Sequence, residues 1–250
     1  MHLKLLCVTA HPDDEAGNFG GTLLKYAQRG VETHVICLTP GQAATHRGNA
    51  KSDDELAAMR RKEFAASCKL LKVTHCEVLA YPDAALDKVD FYSAAADVMQ
   101  RIRALRPQVV MTLGPEGGIT AHPDHSMASL IATPAFHWAG RSDRLPEQLR
   151  DGVRPYRAQK LYYATANFVI PGRQPASLAP ITATIDVGEF VETKIAAFKQ
   201  HTSQAPLFAL FESVVRPRGT SEQFHLAAAI SPRQAKHETD LFSGVAADQD

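Results

Sequence analysis

Leu5-Leu6-Cys7-Val8-Thr9-Ala10 runs directly into His11-Pro12-Asp13-Asp14-Glu15, and Val109-Val110-Met111-Thr112-Leu113 reaches His122-Pro123-Asp124-His125 across a glycine-rich turn. Each apolar run is short and β-rich, which predicts a buried strand. Each His-Pro-Asp sets a proline where a helix would begin and an acid in its first turn. One copy is explained by helix initiation alone. Two copies, one with an additional Asp and the other with an additional His, point instead to metal ligation. Imidazole and carboxylate are the neutral-pH ligands of a divalent ion such as zinc. Two histidines and one carboxylate leave a coordination position open for water, as hydrolytic sites require.

Further along the chain, strand-like runs at 33–39, 76–81 and 108–113 alternate with helical patterns at 20–28, from Ser52 onward and at 91–105. Phe91, Ala95, Val98, Ile102 and Leu105 recur at three- and four-residue steps, an apolar stripe that would face a sheet. Arg101, Arg103 and Arg106 are then expected on the solvated face. A fourth helix should open at Pro123, aiming its N-terminus at the ligands. The alternation predicts an α/β fold, a Rossmann-like, mostly parallel sheet flanked by helices, with a small C-terminal elaboration. Ligand-bearing loops at the carboxyl ends of such strands meet in the crevice where open α/β sheets place their sites. Residues 1–250 are expected to form one domain: a core over 1–140, a connection and elaboration over 141–230, and a flexible tail over 231–250. Within the elaboration, strands are expected at 161–166 and 182–187 and a helix at 189–201.

The chain has 250 residues, 45% of them hydrophobic, enough to bury a sizeable core. Lys+Arg 27 balances Asp+Glu 27, and no basic stripe carries interleaved aromatics. Nucleic acid is therefore not an expected partner, and a small molecule is. Cys7, Cys37, Cys68 and Cys76 form no C-x-x-C pair and are expected to be free thiols in a reducing compartment. No apolar stretch reaches the length of a membrane span, so the expected location is cytoplasmic and away from the membrane. A homo-oligomer is left open.

The two adjacent acids can divide the chemistry. If Asp14 joins His11 and His125 on the metal, Asp13 faces the open position and can take a proton from metal-bound water. His122 could then donate a hydrogen bond or proton to the developing oxyanion or the leaving group, with Asp124 orienting its ring. That set suits hydrolysis of an amide.

These residues resemble the PIG-L/LmbE-like zinc-dependent N-acetylglucosaminyl deacetylase family. The resemblance covers Thr9 to Glu15, Gly20-Gly21-Thr22, Gly30, Leu38 to Gly41, and Gly114 to Gly118 ahead of the second motif. Weaker similarities are Arg60 to Glu63, Tyr81-Pro82-Asp83, Lys194 with His201 to Gln204, and Ser221 to Phe224. By resemblance, His11, Asp14 and His125 hold Zn2+ (or Fe2+), Asp13 is the general base, and His122 is the electrophilic or acidic partner supported by Asp124. Arg60 and Asp83 match residues that hold sugar hydroxyls, while Arg61 should matter little. His201 matches a family position for which a helix-end role serves equally well. The implied activity is removal of the N-acetyl group from an N-acetylglucosaminyl conjugate by zinc-bound water, of the kind used in bacillithiol- or mycothiol-type thiol biosynthesis.

Two positions depart from the family pattern. Ile119-Thr120-Ala121 stands where some relatives carry a tyrosine, and Ala84 stands where many have glycine, which would narrow the sugar pocket by one methyl group. Three other readings compete. One is an amidase that cleaves a larger N-acyl group with the same machinery. Another is a non-catalytic metal-bound sugar-binding protein, against which the presence of both Asp13 and His122 speaks. The last is a nucleotide-binding module, which fails because Gly17, Gly20 and Gly21 are not in G-x-G-x-x-G order.

Overall fold

A computed structural model describes residues 3–150, 152–170, 172, 174–231 and 236–246. The chain runs β1 (Lys4–Thr9), α1 (Asp14–Gln28), β2 (Glu32–Cys37), α2 (Asp53–Leu70), β3 (His75–Val78), α3 (Phe91–Leu105), β4 (Val109–Thr112), α4 (Pro123–Ala139), β5 (Lys160–Thr165), β6 (Ala183–Asp186), α5 (Val191–Phe198), α6 (Phe208–Arg218) and β7 (Ser221–Ala229). The seven strands form one sheet in the order β3-β2-β1-β4-β5-β7-β6. β3 through β5 are parallel, and β7 pairs antiparallel with both β5 and β6. The α/β, mostly parallel architecture read from the sequence is therefore the observed one.

The switch point decides where the site forms. After β1 the chain moves to β2 on one side, while β4 returns to the other side of β1 in the register Leu5↔Val109 to Val8↔Thr112. The loops leaving β1 and β4 thus emerge side by side at one end of the sheet. β1 and β4 are buried on both faces, as central parallel strands with near-continuous apolar runs should be.

Helix α1 starts at Asp14, six residues earlier than its glycines suggest. The glycines serve packing instead: a Cβ on Gly21 would lie 2.6 Å from Cβ of Val187, so only hydrogen fits where α1 crosses the strand end. Neither α6 nor β7 is legible in the sequence. β7 alternates weakly and ends in three alanines, and its pairing with β5 and β6 carries the signal.

Arg103 is not on a solvated face. It is 1% exposed, and its guanidinium donates to the carbonyls of Ala139 (3.2 Å), Leu145 (3.3 Å), Arg141 (2.8 Å) and Arg144 (2.8 Å) and to Gln148 Oε1 (3.1 Å). The connection after α4 has little secondary structure of its own, so its carbonyls need a donor from elsewhere. A guanidinium with five N–H groups supplies it. Arg101 pairs with Glu77, and the Arg106 guanidinium lies over the Tyr156 ring.

The flexible tail expected from 231 onward does not describe residues 236–246. Leu241 is fully buried, Tyr26 Oη donates to Asp240 Oδ1 at 2.9 Å, and Lys160 Nζ donates to Glu238 Oε1 at 2.9 Å. Burying Lys160 in β5 leaves an ammonium that the tail must neutralise. Residues 232–235 and 247–250 lie outside the described residues. Cys7, Cys37, Cys68 and Cys76 are all free thiols.

Replacing Arg103 by Met should lower stability by more than about 2 kcal/mol, because several carbonyls lose a buried charged donor at once. For a chain of this size that is a fall in Tm of about 4–8 °C, measurable by thermal unfolding. An unchanged Tm would mean that water serves those carbonyls equally well.

Candidate active site

The β1 loop turns abruptly at Asp13, whose φ of 117° lies in the region that favours glycine. The turn is held from both sides: Asp13 N–H donates to Glu15 Oε2 at 2.9 Å, and Arg60 Nη2 donates to Asp13 Oδ2 at 2.9 Å. Asp14 begins α1 and folds its Oδ2 back onto the amides of His11 (2.9 Å) and Ala10 (3.2 Å). From β4, the chain passes Gly117 at φ 90°, where a Cβ would lie 2.6 Å from the carbonyl oxygen of His122. A glycine is required there for the loop to close. His122 then caps α4, its Nδ1 accepting from Asp124 N–H at 3.2 Å, and places His125 in the first turn.

The two motifs interlock. His125 Nε2 lies 3.0 Å from Asp14 Oδ1, and His11 Nδ1 lies 3.6 Å from Asp14 Oδ2. The opposite ring nitrogens are held by other groups. His11 Nε2 meets Asp83 Oδ1 at 3.1 Å and Asp124 Oδ2 at 3.3 Å, while His125 Nδ1 meets the Gly117 carbonyl at 3.2 Å. A carboxylate or carbonyl behind each imidazole fixes its tautomer and turns the other nitrogen inward, as metal-ligating histidines require.

Two sequence expectations are corrected by these contacts. Asp124 orients His11 rather than His122, because its carboxylate also accepts from the amides of Ala84 (2.7 Å) and Leu86 (3.3 Å) and so points away from the His122 ring. Asp83 binds His11 and the amide of Ala43 at 2.8 Å, so each of its oxygens already has a partner within the protein, where the sequence suggests a group free for a sugar hydroxyl. Ala84 sits between them at φ 58° in the turn that delivers Asp83, and it is not part of the cavity wall.

Whether a divalent metal fits can be judged from charge. Asp13, Asp14, Asp83 and Asp124 crowd His11 in the protein interior, with Arg60 the cation that reaches Asp13. Burial alone would lower the pKa of His11, but Asp124, Asp14 and Asp83 raise it well above the ordinary value. Burial likewise opposes ionisation of Asp14, yet His125 and His11 hold it well below the usual carboxylate range. Without a metal, a proton on His11 balances these carboxylates. A divalent cation can replace it, and the donor set of two imidazoles and one carboxylate suits zinc. Among the described residues, the sets whose ligand atoms all lie within 4.8 Å of one another are His11/His122/His125 and His11/Asp83/Asp124, both sharing His11.

Arg60 is buried and committed, donating to the carbonyls of Gly41 (3.0 Å) and Pro12 as well as to Asp13. Its guanidinium holds the carboxyl of Asp13 and is 3% exposed, where the sequence suggests an arm reaching a sugar. Burial raises the Asp13 pKa against the pull of that guanidinium, which suits a group that must accept a proton. Arg61 is not idle either, since it donates to the carbonyls of Val78 and Leu79 at the end of β3.

Glu15 and His201 carry more of the site than the sequence indicates. Both are fully buried; Glu15 Oε1 meets His201 Nε2 at 2.7 Å and accepts from Ser67 Oγ at 2.6 Å. Glu15 is printed in the motif, but its tie to a residue 186 positions away is visible only in three dimensions. Behind α1, Lys194 Nζ donates to Glu222 Oε1 at 2.6 Å, and Glu222 accepts from the amides of Gly21 and Thr22, both at 2.8 Å.

Asp13, Asp14, His122 and His125 line one side of a cavity of about 350 Å³. Ile119 and Thr120 also face it, where a tyrosine is absent. Residues 6–136, which contain both His-Pro-Asp motifs, match the family model described as PIG-L: GlcNAc-PI de-N-acetylase. The chain belongs to this family. It is an N-deacetylase-type hydrolase. Over 97% of this chain and 97% of the relative, the deacetylase is 31% identical to 1D-myo-inositol 2-acetamido-2-deoxy-alpha-D-glucopyranoside deacetylase of Streptomyces avermitilis. It is 30% identical to the protein of the same name from Rhodococcus jostii, over 97% and 98% of the two chains. Among solved structures it resembles N,N'-diacetylchitobiose deacetylase from Pyrococcus horikoshii, with TM-score 0.72 and 25% identity over 89% of this chain and 83% of that one.

In this deacetylase, if Asp13 is the general base, Arg60→Ala should lower kcat by about 10²-fold with little change in KM, since displacing a base costs rate rather than binding. Steady-state kinetics decide it: a raised KM at constant kcat would return Arg60 to the sugar. Arg61→Ala should instead lower Tm, because two strand-end carbonyls lose their donor.

Proposed function

We propose that the protein hydrolyses the N-acetyl group of a small N-acetylglucosaminyl conjugate, with His11, Asp14 and His125 holding zinc. The reading rests on one observation above others: the two His-Pro-Asp loops meet around Asp14, with both imidazoles braced from behind and a cavity in front. The named activities of the relatives agree with it. A divalent metal bound there supplies a Lewis acid for the amide carbonyl and lowers the pKa of the attacking water.

Asp13 would take one proton from the attacking water as its oxygen bonds to the carbonyl carbon, and return that proton to the nitrogen as the C–N bond breaks; the second water proton passes from the acid product to the amine, giving a carboxylate and a primary ammonium. His122 contributes a hydrogen bond. Because its Nδ1 accepts a backbone N–H, the proton of the neutral ring sits on Nε2 and can be donated to the developing oxyanion. Burial, followed by His11 and His125, lowers the pKa of His122, which favours this neutral donor over an imidazolium acid. Arg60, Glu15 and His201 keep Asp13 in place. Among the described residues no helix is long and apolar enough to cross a membrane. A cytoplasmic enzyme acting on a soluble conjugate, as in low-molecular-weight thiol synthesis, accords with that.

The adjacent carboxylates separate in experiment. Asp13→Asn should retain metal and lose about 10²–10⁴ in kcat, since an amide accepts no proton from water. Asp14→Asn should lose metal affinity and regain part of its rate when zinc is supplied. Elemental analysis and kcat with and without added zinc distinguish them. The opposite pattern would reverse the two roles, and retention of metal and rate by both would dismiss the site. Chelation of the wild type should abolish amine release, and stoichiometric zinc should restore it.

A further inference from the structure

The wall opposite the catalytic groups is apolar. Leu207, Leu210, Phe211, Val214 and Val215 follow the i, i+3, i+4, i+7, i+8 spacing of one helical stripe, and all five line the cavity that contains Asp13, His122 and His125. A stripe of this kind ordinarily packs on a protein core. Here Leu207 and Phe211 also pack on the core and Val215 is buried, while Leu210 and Val214 turn to the cavity and Leu210 remains 43% exposed. Phe168 and Ile170 from the loop after β5 face the same cavity, as does Phe198 of α5, whose ring stacks on Phe211 at 3.8 Å. Polar side chains line the cavity as well, among them Thr165, Lys194, Glu222 and Gln223. Asn18 and Thr120 line the catalytic side, and the guanidinium of Arg218 sits 5.7 Å from the Phe168 ring.

A sugar bearing only hydroxyls leaves such a wall wetted without gain, whereas an alkyl or aryl group removes it from water. We propose that the substrate carries an apolar group of several carbons that seats against the α6 stripe, making Leu210, Phe211 and Val214 determinants of specificity. The inference rests on the amide-hydrolase reading above. Continuity of the wall with the catalytic side assigns it to substrate. The apolar group can come from either end of the molecule, as a longer N-acyl chain or as the aglycone, and both present the same chemistry to the wall.

Amine release by the zinc-loaded enzyme is measured on two series. One holds a methyl glycoside and lengthens the N-acyl group from acetyl to octanoyl; the other holds N-acetyl and lengthens the alkyl aglycone from methyl to octyl. In one series kcat/KM should rise by up to about fourfold per added methylene until the cavity is filled. The series that rises identifies the source. Leu210→Asp should reduce the ratio of long-chain to short-chain kcat/KM at least tenfold, and Leu130→Asp, on an exposed face of α4, should leave that ratio unaltered. Amine release that is flat across both series overturns the apolar subsite while keeping the hydrolase. No release from any member removes both. A selectivity loss in Leu210→Asp that accompanies dissociation of an oligomer by light scattering assigns the stripe to a second copy and overturns the proposal.

Discussion

Parallel pairing of β1 with β4 is the constraint from which the site follows. The register Leu5↔Val109 to Val8↔Thr112 lets both strands end at one edge of the sheet, so residues more than a hundred positions apart leave it side by side. Because both strands are buried on both faces, a slip in register would misfit close-packed side chains on each face. The cores of the two strands therefore fix the distance between His11 and His125. No contact between the histidines themselves could do so as firmly.

Concentrating carboxylates in that crevice has an electrostatic cost, and the surrounding protein is arranged to offset it. Asp14 is tied to amides at the start of α1, Asp124 to amides of the turn after β3, and Asp83 to the amide of Ala43. Each acid thereby keeps its charge with one face turned to a histidine. Asp13 has a different environment: a backbone at φ 117°, a guanidinium on one oxygen, and Glu15 beneath its amide. Neighbours in sequence are thus given opposite tendencies, Asp14 toward the anion and Asp13 toward proton uptake. That divergence is what a metal ligand next to a general base requires.

The C-terminal third completes the enzyme in two ways. His201 and Glu222 reach back to the α1 region as buried polar props, and α6 closes the far side of the cavity with an apolar surface. The first makes the catalytic geometry dependent on residues far along the chain. The second borders the cavity on a segment separate from the two His-Pro-Asp loops, so the two can vary independently.

The sequence by itself determined the alternating α/β order, the two strand-end motifs and, through residue chemistry, a site of histidines and carboxylates. These were legible because hydrophobic periodicity and metal-ligand chemistry are local properties of the chain. Side-chain partners are not local. Arg60 and Asp83 look like surface groups available to a sugar, and Asp124 looks like the partner of its sequence neighbour His122. Only the packing of α2 and the β3 turn against the β1 loop turned Arg60 to Asp13, and Asp83 and Asp124 to His11. Arg103 and residues 236–246 were misread for the same reason, since a buried guanidinium and a docked terminus are stabilised by carbonyls and charges supplied from distant segments. Tertiary structure decides which donor meets which acceptor, because a polar group leaves water only when the whole fold brings it a partner.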